Sequence, residues 1–435
     1  MSVLESLPFE ISAEILSYLP RTALANVSRL SHQMHAVSQP FLYKSLSLTS
    51  SDRPGPSSLH IFLQMLLSPD GDMIATYVRS LHVQLDHEET KLTPESAYDL
   101  IGFNAAADSV GLTHSPTSDT GQLVLLLHSL RDLHVLSVSS PDDSTDVFSQ
   151  IIDTSIGTLA TGTHPLILLH LREFQCSNGS VSPNALLAIL QLPCIRRVDV
   201  HLTEKTGAPL PTIEAAAGSS PVTSLRLTSF KITPSLLKCI LAATAALTEF
   251  SFSARYPYHV FAISRFGHAL QSLKATLQHL DVDLSGVVRM MASHEHGRLF
   301  RFGSFHDWQA LQTVRCELST LLGGVVLRHG RRLVDVLPPG LRELDIQGNR
   351  FWSVEQEVDL LVEFLREDTV VVGMVKLAVG HGRTGLRSMN RLLVACEAAG
   401  VELVDNGNGR GESAVARERR DRAIQSSPRR FCRRW

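Results

Sequence analysis

A short pattern, apolar-x-x-apolar-x-apolar, recurs along most of this chain and constrains its fold more than any other feature. It reads VRSLHV at 78–83, LRDLHV at 130–135, LREFQC at 171–176, IRRVDV at 195–200 and VTSLRL at 222–227. It continues as LTEFSF at 247–252, LQHLDV at 277–282, LQTVRC at 311–316, LRELDI at 341–346 and VGMVKL at 372–377. The second half of each segment alternates, the period of a strand buried on one side. The central residues Phe174, Val198, Leu225, Phe250, Leu280, Val314, Leu344 and Val375 stand 24, 27, 25, 30, 34, 30 and 31 residues apart. Steps of that length suit one strand and one helix each.

The helices are legible between the strands. SPNALLAIL (182–190) and TPSLLKCIL (233–241) nearly repeat each other at an offset of 51 residues, two repeat lengths. Ser182 and Thr233 are placed to cap, and Pro183 and Pro234 stand at the first helical position. Leu186, Ile189 and Leu190 then correspond to Leu237, Ile240 and Leu241 on the buried face. Val358, Leu361, Val362 and Leu365 form another such stripe. Residues 388–399 read as a helix stopped by Gly400, with a last strand at 401–404. An α/β barrel also alternates strands and helices, but it closes with eight units and this chain has more than that.

The first fifty residues have a different period. Leu7, Ile11, Ile15, Leu16 and Leu19 recur at helical steps, with Pro8 in the first turn. After Pro20 come Leu24, Val27, Leu30 and Met34, and Pro40 closes a third short helical stretch around residues 35–38. A three-helix piece of ~45 residues buries too little to stand alone and needs a partner or a neighbouring domain. Its apolar residues can seal the module or offer a surface to another protein, and periodicity leaves both uses open.

Residues 4–48, LESLPFEISAEILSYLPRTALANVSRLSHQMHAVSQPFLYKSLSL, resemble the F-box motif in L-P-x-E-I, I-L-x-x-L, a serine-bearing second helix and a closing L-Y. The resemblance implies that the first helix and the loop after it dock on a Skp-type adaptor, through Leu7, Pro8, Glu10, Ile11, Ile15, Leu16 and Leu19. Leu24, Val27 and Leu30 would support them. Met34 stands where the family commonly has tryptophan, and the acidic residue common near Thr22 or Ala23 is missing. The body of the chain resembles the leucine-rich-repeat region that commonly follows an F-box, including the LPPGLRELDI segment from Leu337.

The fold class implied is α/β: an N-terminal three-helix F-box, then an irregular leucine-rich-repeat-like solenoid with a curved parallel sheet and outer helices. The expected layout is an F-box at 1–48, a connector at 49–75, repeats at 76–405 and a disordered Arg-rich tail at 406–435.

Other classes are disfavoured by what the residues lack. With 44% hydrophobic and 19% charged residues the chain is too apolar to stay unfolded, and its net charge of -3 attracts neither nucleic acid nor anionic membrane in general. No basic leader precedes an apolar segment, and the strongest apolar run, Leu123 to Leu127, is far shorter than a membrane span. We therefore expect a soluble protein of the cytoplasm or nucleus, with no membrane partner. Cys176, Cys194, Cys239, Cys316, Cys396 and Cys432 lack CxxC spacing and read as reduced core residues. No P-loop, GxGxxG, nucleophile elbow or HExxH is present. The His294/His296 pair lacks a third ligand, and GHGRTG (380–385) and NGNGRG (406–411) read as loop punctuation. No enzyme activity, cofactor or metal is expected. The eight arginines from Arg417 to Arg434 read as a solvated terminus.

Recognition is expected on the sheet, where residues flanking each central apolar side chain point away from the core. The candidates are Glu173, Gln175, Arg197, Asp199, His201, Arg226, Glu249, Asp281, Asp283, Arg315, Glu317, Glu343 and Asp345. Their mixed signs suit a protein surface more than a uniform polyanion. The insertion from Asp99 to Gln122 is a rival binding element. The two resemblances together imply a substrate-recognition subunit of an SCF-type E3 ubiquitin ligase. It would reach a cullin through the Skp-type adaptor and hold a protein substrate on its repeats. The alternative is a non-catalytic repeat scaffold without ligase coupling.

Overall fold

A computed structural model describes residues 7–50, 57–85, 106, 118–139, 168–203, 218–254, 263–284, 302–322, 332–347, 354–367, 373–380, 386–405 and 412–413. The chain divides into two units, Met1–Thr223 and Ser224–Trp435. The His294/His296 pair, both glycine-rich loops beyond Gly380, most of the 99–122 insertion and the arginine tail lie outside the described residues.

The first unit opens with α1 (Phe9–Ser17), α2 (Arg21–Val27) and α3 (His32–Tyr43). Leu16, Leu24 and Val37 form their core, with Ala13, Leu19, Val27, Phe41 and Leu42 packed around it. Pro8 is the residue before α1 rather than part of its first turn, and its carbonyl accepts the Ser12 amide at 3.0 Å. Ser31 caps α3, its hydroxyl accepting the Met34 amide at 3.3 Å. Pro40 does not close the third helix, as its sequence position suggests, but sits inside it. A proline there costs ~3 kcal/mol. Burial of Met34 and Val37 before it, worth ~1.5–3 kcal/mol each, offsets that, helped by the partly buried Phe41 and Leu42 after it. Met34 is 1% exposed, so the side chain standing where the family commonly has tryptophan is buried.

The segment expected to be a connector is structured. It holds α4 (Ser58–Leu66) and α5 (Gly71–Tyr77). Helix α3 packs on α5, and its Tyr43 meets α4 through the Phe62 ring, at a centroid distance of 6.4 Å, and the Met65 sulfur. The helical module thus draws its missing support from its own chain. The sheet also begins earlier than expected, because β1 (Ser45–Thr49) pairs in parallel with β2 (Ser80–Gln84). Residues 45–48, assigned from sequence to the F-box, form its first strand.

The unit continues with α6 (Asp119–Ser129), β3 (Val135–Ser139), β4 (Glu173–Val181), α7 (Pro183–Leu190) and β5 (Arg197–Thr203). Strands β1 to β5 are parallel neighbours in chain order. Leu46, Leu81, Leu136, Phe174 and Val198 share one register and are buried. Leu136 was not the expected residue of β3. The repeat there reads LHVLSV (133–138), three residues later than LRDLHV.

The second unit contains β6 (Ser224–Lys231), α8 (Pro234–Ala243), β7 (Glu249–Ala254), α9 (Ile263–Leu270), β8 (His279–Asp283), β9 (Thr313–Glu317) and α10 (Leu318–Leu322). It ends with β10 (Glu343–Gln347), α11 (Val354–Leu365), β11 (Lys376–Gly380), α12 (Leu386–Ala399), β12 (Glu402–Asp405) and β13 (Glu412–Ser413). Strands β6 to β12 are parallel and in chain order, while β13 pairs antiparallel with β12, inside the segment expected to be a tail. In neither unit do first and last strands pair, so neither closes as a barrel. The register joins Leu225, Phe250, Leu280, Val314, Leu344, Leu377 and Leu403. Leu377 replaces the expected Val375, which is 61% exposed, so this repeat starts two residues later than VGMVKL suggested.

The helix expectations hold. The Ser182 and Thr233 hydroxyls accept the amides of Ala185 and Leu236 at 3.2 and 3.3 Å, and the matched leucine and isoleucine sets of α7 and α8 are buried. Gly400 ends α12 at φ +69°, a conformation that glycine adopts without strain. Phe266 of α9 packs on Phe252 and Phe302 at ring distances of 4.9 and 5.2 Å, and Phe305 meets Trp308 edge-on at 4.9 Å. Cys176, Cys316 and Cys396 are buried as expected, whereas Cys239 is exposed.

Candidate docking and recognition surfaces

Helix α1 carries one broad apolar stripe. At 100° per residue, Ser12 and Leu16 fall on one side of it and Ile11, Ile15 and Tyr18 on the other. The first side faces the core of the helical module. The second lies open: Ile11 is 44%, Ile15 40% and Tyr18 81% exposed. The seven residues nominated for adaptor docking therefore separate. Pro8, Glu10, Ile11 and Ile15 are exposed, and Leu7 and Leu19 are half-buried. Leu16, 2% exposed, is a core residue and not a docking contact. Periodicity grouped these leucines and isoleucines in one stripe because a stripe can be wider than the partner helix that covers it. Phe9 (57%) and Tyr18 are exposed apolar side chains that the motif did not single out, and Leu30, expected to support the docking residues, is itself 65% exposed. Glu10 lies in the first turn of α1, where a carboxylate is favoured by the helix dipole.

The nominated recognition residues lie on the polar face of the sheet in each unit. In the first, Glu173, Gln175 and Arg197 are exposed and Asp199 is half-buried. His201, 7% exposed, is not available as a surface contact. On the same face His82 Nδ1 and Ser137 Oγ are 2.9 Å apart.

In the second unit the register aligns Arg226, Ser251, Asp281, Arg315 and Asp345 on five successive strands. Arg315 lies between two carboxylates, with Nε 3.3 Å from Asp345 Oδ2 and Nη1 3.9 Å from Asp281 Oδ2. The Ser251 hydroxyl donates to the same Asp281 oxygen at 3.3 Å. Burial pushes the Asp281 carboxyl above its ordinary range, against the pull of Arg315, the Ser251 hydrogen bond and Arg226. Glu249 is exposed, and Asp283 and Glu343 flank the row half-buried. Glu317 is 3% exposed and accepts from the Ser319 hydroxyl at 3.2 Å, so it belongs to the junction of β9 and α10 and not to the open face. Position 378, next in the row on β11, is an alanine, which ends the charged series there.

Among the described residues no group of three or more His, Cys, Asp or Glu side chains could hold a metal ion. Among them no helix is long and apolar enough to cross a membrane. What these surfaces offer is contact area and charge: an apolar helix face on a small domain and polar rows on parallel sheets. Comparison with protein families matches residues 4–49 to the F-box-like family. The match covers the three helices and β1. Comparison with curated proteins returns no match.

Proposed function

We propose that this chain, which carries an F-box-like domain at residues 4–49, is a substrate-recognition subunit of an SCF-type E3 ubiquitin ligase. F-box domains typically bind Skp-type adaptors. The observation that carries the reading is the open face of α1: Ile11 and Ile15 stand exposed beside Pro8 and Glu10, at motif positions, on a helix whose other face is already buried. Apolar residues grouped on one exposed helix face are the kind of surface that a partner protein covers. The adaptor would link the chain to a cullin, and the chain would perform no chemistry of its own. It would act by holding a protein substrate close to the transferred ubiquitin, in the cytoplasm or nucleus.

In this reading the parallel strands with intervening helices form an irregular leucine-rich-repeat-like array, and its polar face takes the substrate. The one-strand-per-repeat order and the shared apolar register support it. The test is co-purification of a Skp-type adaptor with the full chain and with an Ile11→Ala/Ile15→Ala variant. Capture by wild type and loss in the variant are expected. Equal capture by both, or capture by neither, refutes the proposal.

One observation favours a second reading. Because α3 packs on α5 and meets α4, the three helices can serve as a cap on the array, with no ligase coupling. A chain that binds its target but never an adaptor would establish it.

A further inference from the structure

One position of the first unit's repeats forms a row that neither surface above includes. The Lys44 carbonyl accepts the amides of Arg79 and Ser80, and the Arg79 carbonyl accepts those of His134 and Val135. The His134 carbonyl accepts from Arg172 and Glu173, and the Arg172 carbonyl from Arg196 and Arg197. These bonds, 2.7–3.0 Å long, set Lys44, Arg79, His134, Arg172 and Arg196 side by side just ahead of β1 to β5. With neighbouring strands ~4.8 Å apart, the row is about 19 Å long. Lys44, Arg172 and Arg196 are exposed, and Arg79 and His134 half-buried.

The fold does not require cations at this position. In the second unit the same hydrogen-bonded position holds Thr248, Gln278, Gln312, Arg342 and Val375. In a chain of net charge -3 the row brings four permanent cations together, against Asp132 beside Arg79 and the exposed Glu173 that follows Arg172. Arg79 is paired with Asp132 at 2.9 Å. Arg196 donates to the Pro221 carbonyl at 2.9 Å, which orients the guanidinium without cancelling its charge. His134 is held below its ordinary pKa first by burial and then by Arg172, Arg79 and His170, with Asp132 opposing.

We propose that this row docks an acidic segment of a partner protein, one that presents carboxylates about every 5 Å. One face of a Glu-bearing helix does so, since its pitch of ~5.4 Å is close to the spacing of the strands. Duplex DNA fits less well. It carries one charge per ~1.7 Å of axis, far denser than this row, and the negative remainder of the chain repels it. The inference does not rest on adaptor docking, which uses the open face of α1.

The probe is a fluorescein-labelled helical peptide with glutamates three and four residues apart on one face, titrated with the full chain in an anisotropy assay. An ionic strength of about 0.1 M leaves a Debye length near ~10 Å, longer than the strand spacing. The glutamate peptide should bind, and a glutamine version should not. Arg172→Gln/Arg196→Gln should weaken binding about tenfold, while Arg172→Lys/Arg196→Lys stays within about threefold because charge dominates. Arg342→Gln, at the equivalent position of the second unit, should change nothing. Lys44→Gln, expected to cost about threefold, repeats the test if the double glutamine chain melts early. The proposal is overturned if the glutamate peptide does not bind, or if folded glutamine variants bind it like wild type. Tighter binding of a DNA duplex than of the peptide overturns it too.

Discussion

Ile15 and Leu16 are consecutive residues of α1, and alanine should act on them in opposite ways. Leu16 is 2% exposed in the core formed with Leu24 and Val37, so truncation leaves a cavity and should cost ~3 kcal/mol of local stability. Ile15 is 40% and Ile11 44% exposed. Full burial of such a side chain is worth ~1.5–3 kcal/mol, so a partner covering the open two-fifths gains roughly 0.6–1.2 kcal/mol at each. The double variant Ile11→Ala/Ile15→Ala should then weaken adaptor binding by roughly eightfold to sixtyfold. Titration calorimetry of the full chain with a Skp-type adaptor measures the affinity, and native-state hydrogen exchange across α1 to α3 measures the stability. Two results refute the reasoning: a double variant that binds within about twofold of wild type, or an Ile15→Ala chain that loses exchange protection as Leu16→Ala does.

Three further outcomes are expected. A Cβ on Gly267 would run into the Phe302 carbonyl and force apart Phe266 and Phe302, so Gly267→Ala should destabilise the second unit by about 2 kcal/mol in urea melts. Because the folded-state pKa of Asp281 is raised, the native chain holds that proton more tightly than the unfolded chain. Its contribution to stability is present below the unfolded carboxylate value, near pH ~4, and is lost as pH rises through the higher folded value; Asp281→Asn should remove that slope from urea midpoints measured across the window. Burial, with a smaller push from Glu397, raises the Cys396 thiol to about 12, and burial holds Cys316 well above its usual value. Iodoacetamide should therefore modify exposed Cys239 in the native chain and spare Cys316 and Cys396 until urea unfolds it, as read by peptide mass spectrometry.

Local chemistry was legible without the fold. Ser182 and Thr233 cap, Pro183 and Pro234 open helices, and Gly400 closes one, because each acts on backbone groups within a few residues. Alternation marked the strands, since a half-buried strand repeats every two residues whatever lies beside it. Register was less accessible. LRDLHV and VGMVKL fit the pattern as well as LHVLSV and the segment around Leu377, and only hydrogen bonding to the neighbouring strands selected between them. That same correction brings His134 into line with Lys44, Arg79, Arg172 and Arg196, so the basic row appears only once the strands are paired. Likewise the α1 pattern shows a broad apolar stripe but not which side of it is covered. Packing of α2 and α3 buried Leu16 and left Ile11 and Ile15 open, because burial is a property of the neighbours and not of the residue. The sequence by itself determined an F-box-like module followed by strand-and-helix repeats; tertiary structure decided which of their side chains another molecule can reach.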